Sequence, residues 1–253
     1  MCGRYTLKSD KKKVAVAFDI DADGDVVEIV EPRFNVLPSE RILVVRVNPE
    51  TKKREMRRMQ WGLMPPNPSS PEVRPLINAR VWTLLNTDVY GDAIQRRRCL
   101  IPADGFFEWQ AVETKTRKVP HYIHMKDSSM FGFAGVWQEE PTATGKTVLT
   151  CSILTTNPNA LVKPIHNRMP VIILPKDYAV WLDPGVTDTE KIKGMLKPLD
   201  PALMEVYPVS TDVNRRQNDS VDLIKRVEIE DGAGKPKRPL RAKTKKLQNP
   251  RLF

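Results

Sequence analysis

The sequence predicts an α+β fold built on a curved, mainly antiparallel sheet. It reads as one domain, residues 1–230, followed by a tail over residues 231–253. Three observations carry this. Short runs rich in β-branched and aromatic residues recur between turn-forming residues from position 42 to position 154, the signature of many short strands. Helical periodicity is confined to a few short stretches between and after them. The chain has 253 residues, 40% of them hydrophobic, which is enough to bury one large core.

Taken in order, Ser9 to Ile20 suits a short helix, with Ser9 as its cap and Val14, Ala17 and Phe18 at helical spacing. Asp21 to Asp25 is a turn. Ile42–Val47 reads as a strand closed by Asn48-Pro49, and Arg57–Trp61 as a second. Met64 to Pro71 is broken by prolines, which fix φ and remove donors, so it predicts an exposed loop. Thr83 to Arg98 reads as helical with a break near Gly91. Further strands are expected at Cys99–Ile101, Phe106–Trp109, His121–Met125, Phe131–Trp137 and Val148–Leu154. Tyr178–Leu182 and Glu190–Leu196 read as helices, the second capped by Thr187 or Asp188. From Gly232 onward the Pro- and Lys-rich composition predicts disorder.

Composition narrows the function. Cys2, Cys99 and Cys151 are the three cysteines and no CxxC or CxxH pair occurs, which argues against a disulfide framework and against zinc. With three histidines as well, neither a metal nor a cofactor is expected. No run of eighteen apolar residues occurs, and Met1 to Lys13 lacks the apolar core of a signal peptide. A cytoplasmic protein away from membranes is expected. The net charge is +10, but residues 231–253 hold eight Lys or Arg against one Asp, so the body is only mildly basic. A nucleic-acid site in the body must then be a local patch. Lys52-Lys53-Arg54 with Arg57-Arg58, and Arg96-Arg97-Arg98, are candidates, although such runs also serve as solvated faces.

Cys2 stands where removal of Met1 would leave an N-terminal cysteine. Its α-amine would have a pKa of about 7.7–8.0, leaving much of it neutral and nucleophilic near neutral pH. Such an amine forms a Schiff base with an aldehyde, and the adjacent thiol can close a five-membered thiazolidine. Gly3 permits close backbone approach, and Arg4 supplies a fork of donors suited to phosphate or carboxylate. Four further segments combine residue types that chemistry uses. They are Trp61-Gly62-Leu63-Met64-Pro65, Asn78-Ala79-Arg80, Pro102 to Trp109, and Pro164 to Pro170. Glu108, set among aromatics, is expected to have a raised pKa suited to proton shuttling, and His166 is the histidine in a loop-like setting. Trp61 and Trp109 fit a core equally well, Glu108 an ion pair, and His166 a satisfied buried histidine.

Together these segments resemble the SRAP (SOS response-associated peptidase) domain family of abasic-site crosslinking proteins. The match runs from Met1-Cys2-Gly3-Arg4-Tyr5 through Arg33 to Pro38, Trp61 to Pro65, Asn78 to Arg80, Pro102 to Trp109 and Phe133 to Trp137. It continues through Thr155-Thr156, His166 to Pro170, Tyr207 to Ser210 and Asn218 to Ser220, covering nearly all of residues 1–225. The resemblance implies a single domain with a central barrel-like β-structure, short peripheral helices and a basic DNA groove. It implies that Cys2 crosslinks to an abasic site in single-stranded DNA as a thiazolidine. Asn78 would orient the N-terminal cysteine and the sugar. Glu108 would be the acid/base group, and His166 would assist sugar ring opening. Arg4, Arg80 and Arg168 are implied phosphate contacts. Trp61, Leu63 and Pro38 are implied apolar contacts to bases, with Asn35 and Thr155 as further DNA contacts.

The chain departs from the family pattern at Trp82, where an acidic residue is usual two places after the Arg of Asn-Ala-Arg, and at Leu37, where Ala is common. A thiol (auto)peptidase using Cys2 with His166 and a non-covalent single-stranded DNA binder are the alternatives. A monomer associated with DNA or the nucleoid is expected. The terminal Gln248 to Phe253 faintly resembles a sliding-clamp-binding peptide.

Overall fold

The computed structural model describes residues 2–21, 30–64, 74–86, 91–112, 118–141 and 145–228. Residues 65–71 of the expected proline-rich loop, most of the turn after Asp21, the domain end near residue 230, and the tail with its clamp-like peptide lie outside the described residues. The described strands are β1 (Tyr5–Leu7), β2 (Arg33–Val36), β3 (Arg41–Val47), β4 (Arg54–Trp61), β5 (Asn78–Arg80), β6 (Arg98–Ala103) and β7 (Gly105–Gln110). They continue with β8 (Val119–Met125), β9 (Phe131–Pro141), β10 (Thr147–Thr156), β11 (Met169–Pro170), β12 (Ile172–Ile173) and β13 (Met204–Pro208). The α-helices are short: α1 (Lys11–Ala17), α2 (Val81–Asn86), α3 (Gly91–Arg96), α4 (Tyr178–Leu182) and α5 (Thr189–Met195). Among the described residues no helix is long and apolar enough to cross a membrane.

Five strands close into a barrel. β3 pairs antiparallel with β4 and β6, β6 with β9, and β9 with β10. A parallel pairing of β10 with β4, Thr150 opposite Gln60 and Cys151 opposite Trp61, closes the ring. Beyond that contact β10 takes β5 as a parallel neighbour, with Ile153 opposite Asn78 and Thr155 opposite Arg80. The second sheet is antiparallel, in the order β13-β8-β7-β1-β2. The two sheets share one core. Tyr5 of β1 meets Trp61 of β4 edge-on at 5.6 Å and Phe133 of β9 at 5.8 Å between ring centroids, a favoured aromatic geometry. The fold is thus the expected single α+β domain with a barrel-like, mainly antiparallel centre.

Several local expectations need correction. Helix α1 is capped by Asp10, whose carboxylate accepts from Lys13 N at 2.9 Å. Ser9 instead donates to Asp104 at 3.1 Å, and that carboxylate also accepts from Lys8 N. Of the two candidate caps for α5, Asp188 is the one used. The stretch expected as one broken helix is two helices, α2 and α3, and Arg98 already belongs to β6. Arg98 is no surface cation. It is buried and donates to the carbonyls of Ile94, Trp181, Asp183 and Val186, pinning α3 and α4 to the barrel. Arg97 and Arg96 pair with Asp92, and Arg57 with Glu55, so both basic runs are partly neutralised.

Candidate active site

Pairing of β1 with β7 decides where the chain begins. Tyr5 lies opposite Phe106, and Phe107 N donates to Arg4 O at 3.0 Å. Antiparallel continuation carries the residues before Arg4 toward Glu108. Cys2 is there, fully buried, and its thiol feels the charge of the Glu108 carboxylate. Burial first, and then that negative charge, push the Cys2 thiol far above its ordinary pKa.

Asn78 approaches from the other sheet. Trp61 Nε1 donates to Ile77 O at 2.7 Å, and β10 holds Asn78 opposite Ile153, so the residue is fixed from both sides. Its Nδ2 donates to Cys2 O at 2.9 Å. Its Oδ1 is buried and has no hydrogen-bond partner among the described residues, which leaves an acceptor beside the chain start.

Glu108 is 1% exposed. Burial raises its pKa above its ordinary value, opposed in part by nearby positive charge and hydrogen bonding, the Arg168 cation included. Arg168 itself is held below its ordinary pKa, chiefly by burial and then by the neighbouring Arg80 charge. His166 Nδ1 lies 3.1 Å from Arg168 N and 3.2 Å from Arg168 O, so the backbone of Arg168 holds the imidazole in place. Burial lowers the His166 pKa, and the Arg168 and Lys118 cations act in the same direction. Asn78 therefore touches Cys2, Glu108 and Arg168 act on each other through their charges, and Arg168 is bonded to His166. The arrangement provides a buried carboxyl able to hold a proton and an imidazole that stays neutral near pH 7.

Beside this group opens a cleft of about 540 Å³ lined by Arg80, Trp82, Thr155, Asn157, Arg168 and Lys193, among others. Arg80 is exposed there. Thr155 lines it but is buried, its Oγ1 donating to Ala79 O at 3.3 Å. Arg4 lies apart from this cleft. Its Nη1 donates to Asn35 Oδ1 at 3.0 Å and to Val213 O. Burial and the nearby Arg216 charge lower its pKa.

Three residues expected to contact DNA are buried, as Thr155 is. Asn35 is fully buried and its Nδ2 donates to Asn218 O at 2.7 Å and Arg215 O at 3.2 Å, so it braces Arg4 and the 213–218 segment. Trp61 is fully buried in the aromatic core. Leu63 is buried too, and its backbone exchanges hydrogen bonds with Leu76. Neither apolar side chain has surface to offer a base; both hold the strand end that positions Asn78. Pro38 is half-buried, next to the turn in which Ser39 N donates to Trp61 O. Sequence reasoning missed Lys193, Lys118, Asn157 and Arg216. Lys193 reads as a solvated helix position, where it pairs with Glu190 at 2.9 Å, and carries no local signal. Trp82 was visible as a departure from the family pattern.

A model of the family described as SOS response associated peptidase (SRAP) matches residues 1–216. The chain is 38% identical over 228 residues to the abasic site processing protein YoqW of Bacillus subtilis (strain 168), covering 88% of this chain and 99% of that protein. To the abasic site processing protein YoaM of the same organism it is 38% identical over 225 residues, covering 88% of this chain and 97% of that one. An X-ray crystal structure of a protein from Bacteroides thetaiotaomicron matches with a TM-score of 0.79 at 27% identity, covering 90% of this chain and all of that one. The chain belongs to the SOS response associated peptidase (SRAP) family.

Proposed function

We propose that this protein processes abasic sites in single-stranded DNA by forming a covalent crosslink through Cys2 after removal of Met1. The relatives' names support the lesion. The observation that carries the chemistry is the Asn78 side chain bonded to Cys2 O at 2.9 Å, with the charge of Glu108 felt at the Cys2 thiol.

Loss of Met1 turns the Cys2 peptide nitrogen into an α-amine, and the vacant acceptor of Asn78 is available to orient it. The ring-opened deoxyribose presents an aldehyde at C1′. The neutral amine adds to that carbon, and the resulting carbinolamine loses water to give an imine. Glu108, whose pKa burial raises, donates a proton to the departing hydroxyl and receives the proton that the nitrogen gives up as the imine forms, the same exchange running backwards on reversal. His166, whose pKa burial lowers, takes the proton of the C1′ hydroxyl and passes it to O4′ as the C1′–O4′ bond breaks. The thiol then adds its sulfur to the imine carbon and its proton to the nitrogen, closing the thiazolidine. Arg80, Arg168 and Arg4 take phosphates, which needs no sequence readout and no unpairing of a duplex.

A thiol peptidase needs a thiolate at the outset, and the burial and negative neighbour of Cys2 work against one. In the amine-first route the thiol reacts only after the electrophile is tethered beside it. The test is incubation with an oligonucleotide carrying one abasic site. A heat-stable shifted band is expected with the native chain start, and none with Cys2→Ala. Cys2→Ser keeps an amine and should give a labile Schiff base only. The intact mass of the active protein should lack Met1, because an acylated nitrogen cannot form the imine. A passive binder gives no covalent band, and a stable band undiminished in Cys2→Ala would remove Cys2 from the mechanism.

A further inference from the structure

The proposed chemistry leaves Trp82 unused. This residue opens the first turn of α2, two positions after Arg80 at the end of β5, and is 75% exposed. The other tryptophans differ. Trp61, Trp137 and Trp181 are buried, and Trp109 is half-buried with its Nε1 bonded to Asn214 Oδ1. An exposed indole is unremarkable alone, but this one lines the same 540 Å³ cleft as Arg80, Arg168 and Lys193. Among the described residues lining that cleft there is no carboxylate, although Lys193 pairs with Glu190 from outside the lining. A flat apolar plate among cations, with neutral amides and hydroxyls between them, complements a ligand of alternating aromatic rings and anions. Arg168 belongs both to this cleft and to the Glu108 neighbourhood, so a strand leaving the reaction centre enters the cleft at once.

We propose that Trp82 is a stacking platform for an unpaired nucleobase flanking the lesion, with Arg80, Arg168 and Lys193 taking the phosphates on either side. This rests on the reading of the protein as one that acts on single-stranded DNA. Stacking on a π-face tolerates every base, so the subsite adds affinity without sequence preference. It also makes the protein sensitive to whether the neighbouring nucleotide carries a base at all.

The test measures binding of labelled single-stranded oligonucleotides by fluorescence anisotropy, alongside the crosslinking assay. Trp82→Ala should weaken binding about tenfold, in the range of aromatic–base stacking, and Trp82→Phe should recover most of the loss. In the native protein, replacing flanking nucleotides one at a time by a stable abasic spacer should weaken binding at one position by a similar factor. At that position Trp82→Ala should cause no further loss, because the two changes remove the same contact. Binding by Trp82→Ala within about twofold of native, or losses that add at every spacer position, overturns the stacking site. The two readings fail separately. A Cys2-dependent adduct with Trp82-independent binding removes only the platform. Trp82-dependent binding without any heat-stable adduct removes only the crosslinking chemistry.

Discussion

Glu108 shows how one residue's environment sets both stability and chemistry. Glu108 stands on β7 between β1 and β8, its side chain is buried, and burial holds its pKa above its ordinary value despite the Arg168 cation. A raised pKa means that the folded state binds the proton more readily than the unfolded state. The stability contributed by protonated Glu108 is therefore full below the unfolded pKa and is lost as pH rises through the folded one. Glu108→Gln removes this loss. The variant should be more stable than the native protein at neutral pH, and the gap should widen as pH rises through the carboxylate range and then level off. Urea denaturation at a series of pH values measures it, and a gap that does not vary with pH would contradict the burial argument. The same substitution should slow crosslinking by roughly a hundredfold, the scale of lost general acid–base catalysis. The site thus trades stability for a proton held in place. Burial moves His166 in the opposite sense, since for an imidazole the neutral form is the one favoured away from water.

One element-scale device joins the two ends of the domain. β2 is tied to the segment 213–219 by Asn35, by Arg33 to Asp219, and by Phe34 N to Asp219 Oδ1. Arg4 is clamped between Asn35 Oδ1 and Val213 O. Asn35→Ala strips several carbonyls of their donor at once and should cost about 1–3 kcal/mol of stability. If Asn35 positions Arg4 for phosphate, the variant should also weaken single-stranded DNA binding about as much as Arg4→Ala does, with no further loss in the double variant. Destabilisation with unchanged DNA binding would leave Asn35 a purely structural role. Element by element, the sequence was most informative where patterns are local. The Ile42–Val47 strand, the β6 to β10 strands and the α4 and α5 helices stand within a few residues of their expected bounds. The cap of α1 was misjudged by one residue because Ser9 is claimed by Asp104, a partner 95 positions away in sequence. Trp61 and Leu63 fit a base-binding wedge and a core equally well in one dimension. Only the closing contact of β4 with β10 decides for the core.

At the scale of the molecule, barrel closure assembles the site. The parallel β10–β5 pairing sets Asn78 opposite Ile153 and Arg80 opposite Thr155, and the β1–β7 pairing delivers Cys2 toward Glu108. Such long-range pairings leave no periodic trace, so residue chemistry could single out Cys2, Glu108 and His166 but only the family resemblance joined them into one site, and Lys193 and Lys118 were not legible at all. Charge is divided the same way. The body is mildly basic, with Arg80, Arg168 and Lys193 lining one cleft, while residues 231–253 carry eight Lys or Arg and one Asp. On the proposed function, the cleft would seat the lesion and the tail would raise the local concentration of any strand nearby. A chain ending at residue 230 should then form the heat-stable adduct with the same dependence on Cys2, but bind single-stranded DNA more weakly at low salt. Each phosphate released from contact lowers the slope of log K against log salt by about 0.7, so loss of even a few tail contacts should flatten that slope by roughly 2. Anisotropy titrations from low to high salt read the slope directly. Equal slopes for the two chains would mean that the tail does not touch DNA, and the cleft alone would have to account for the whole electrostatic attraction.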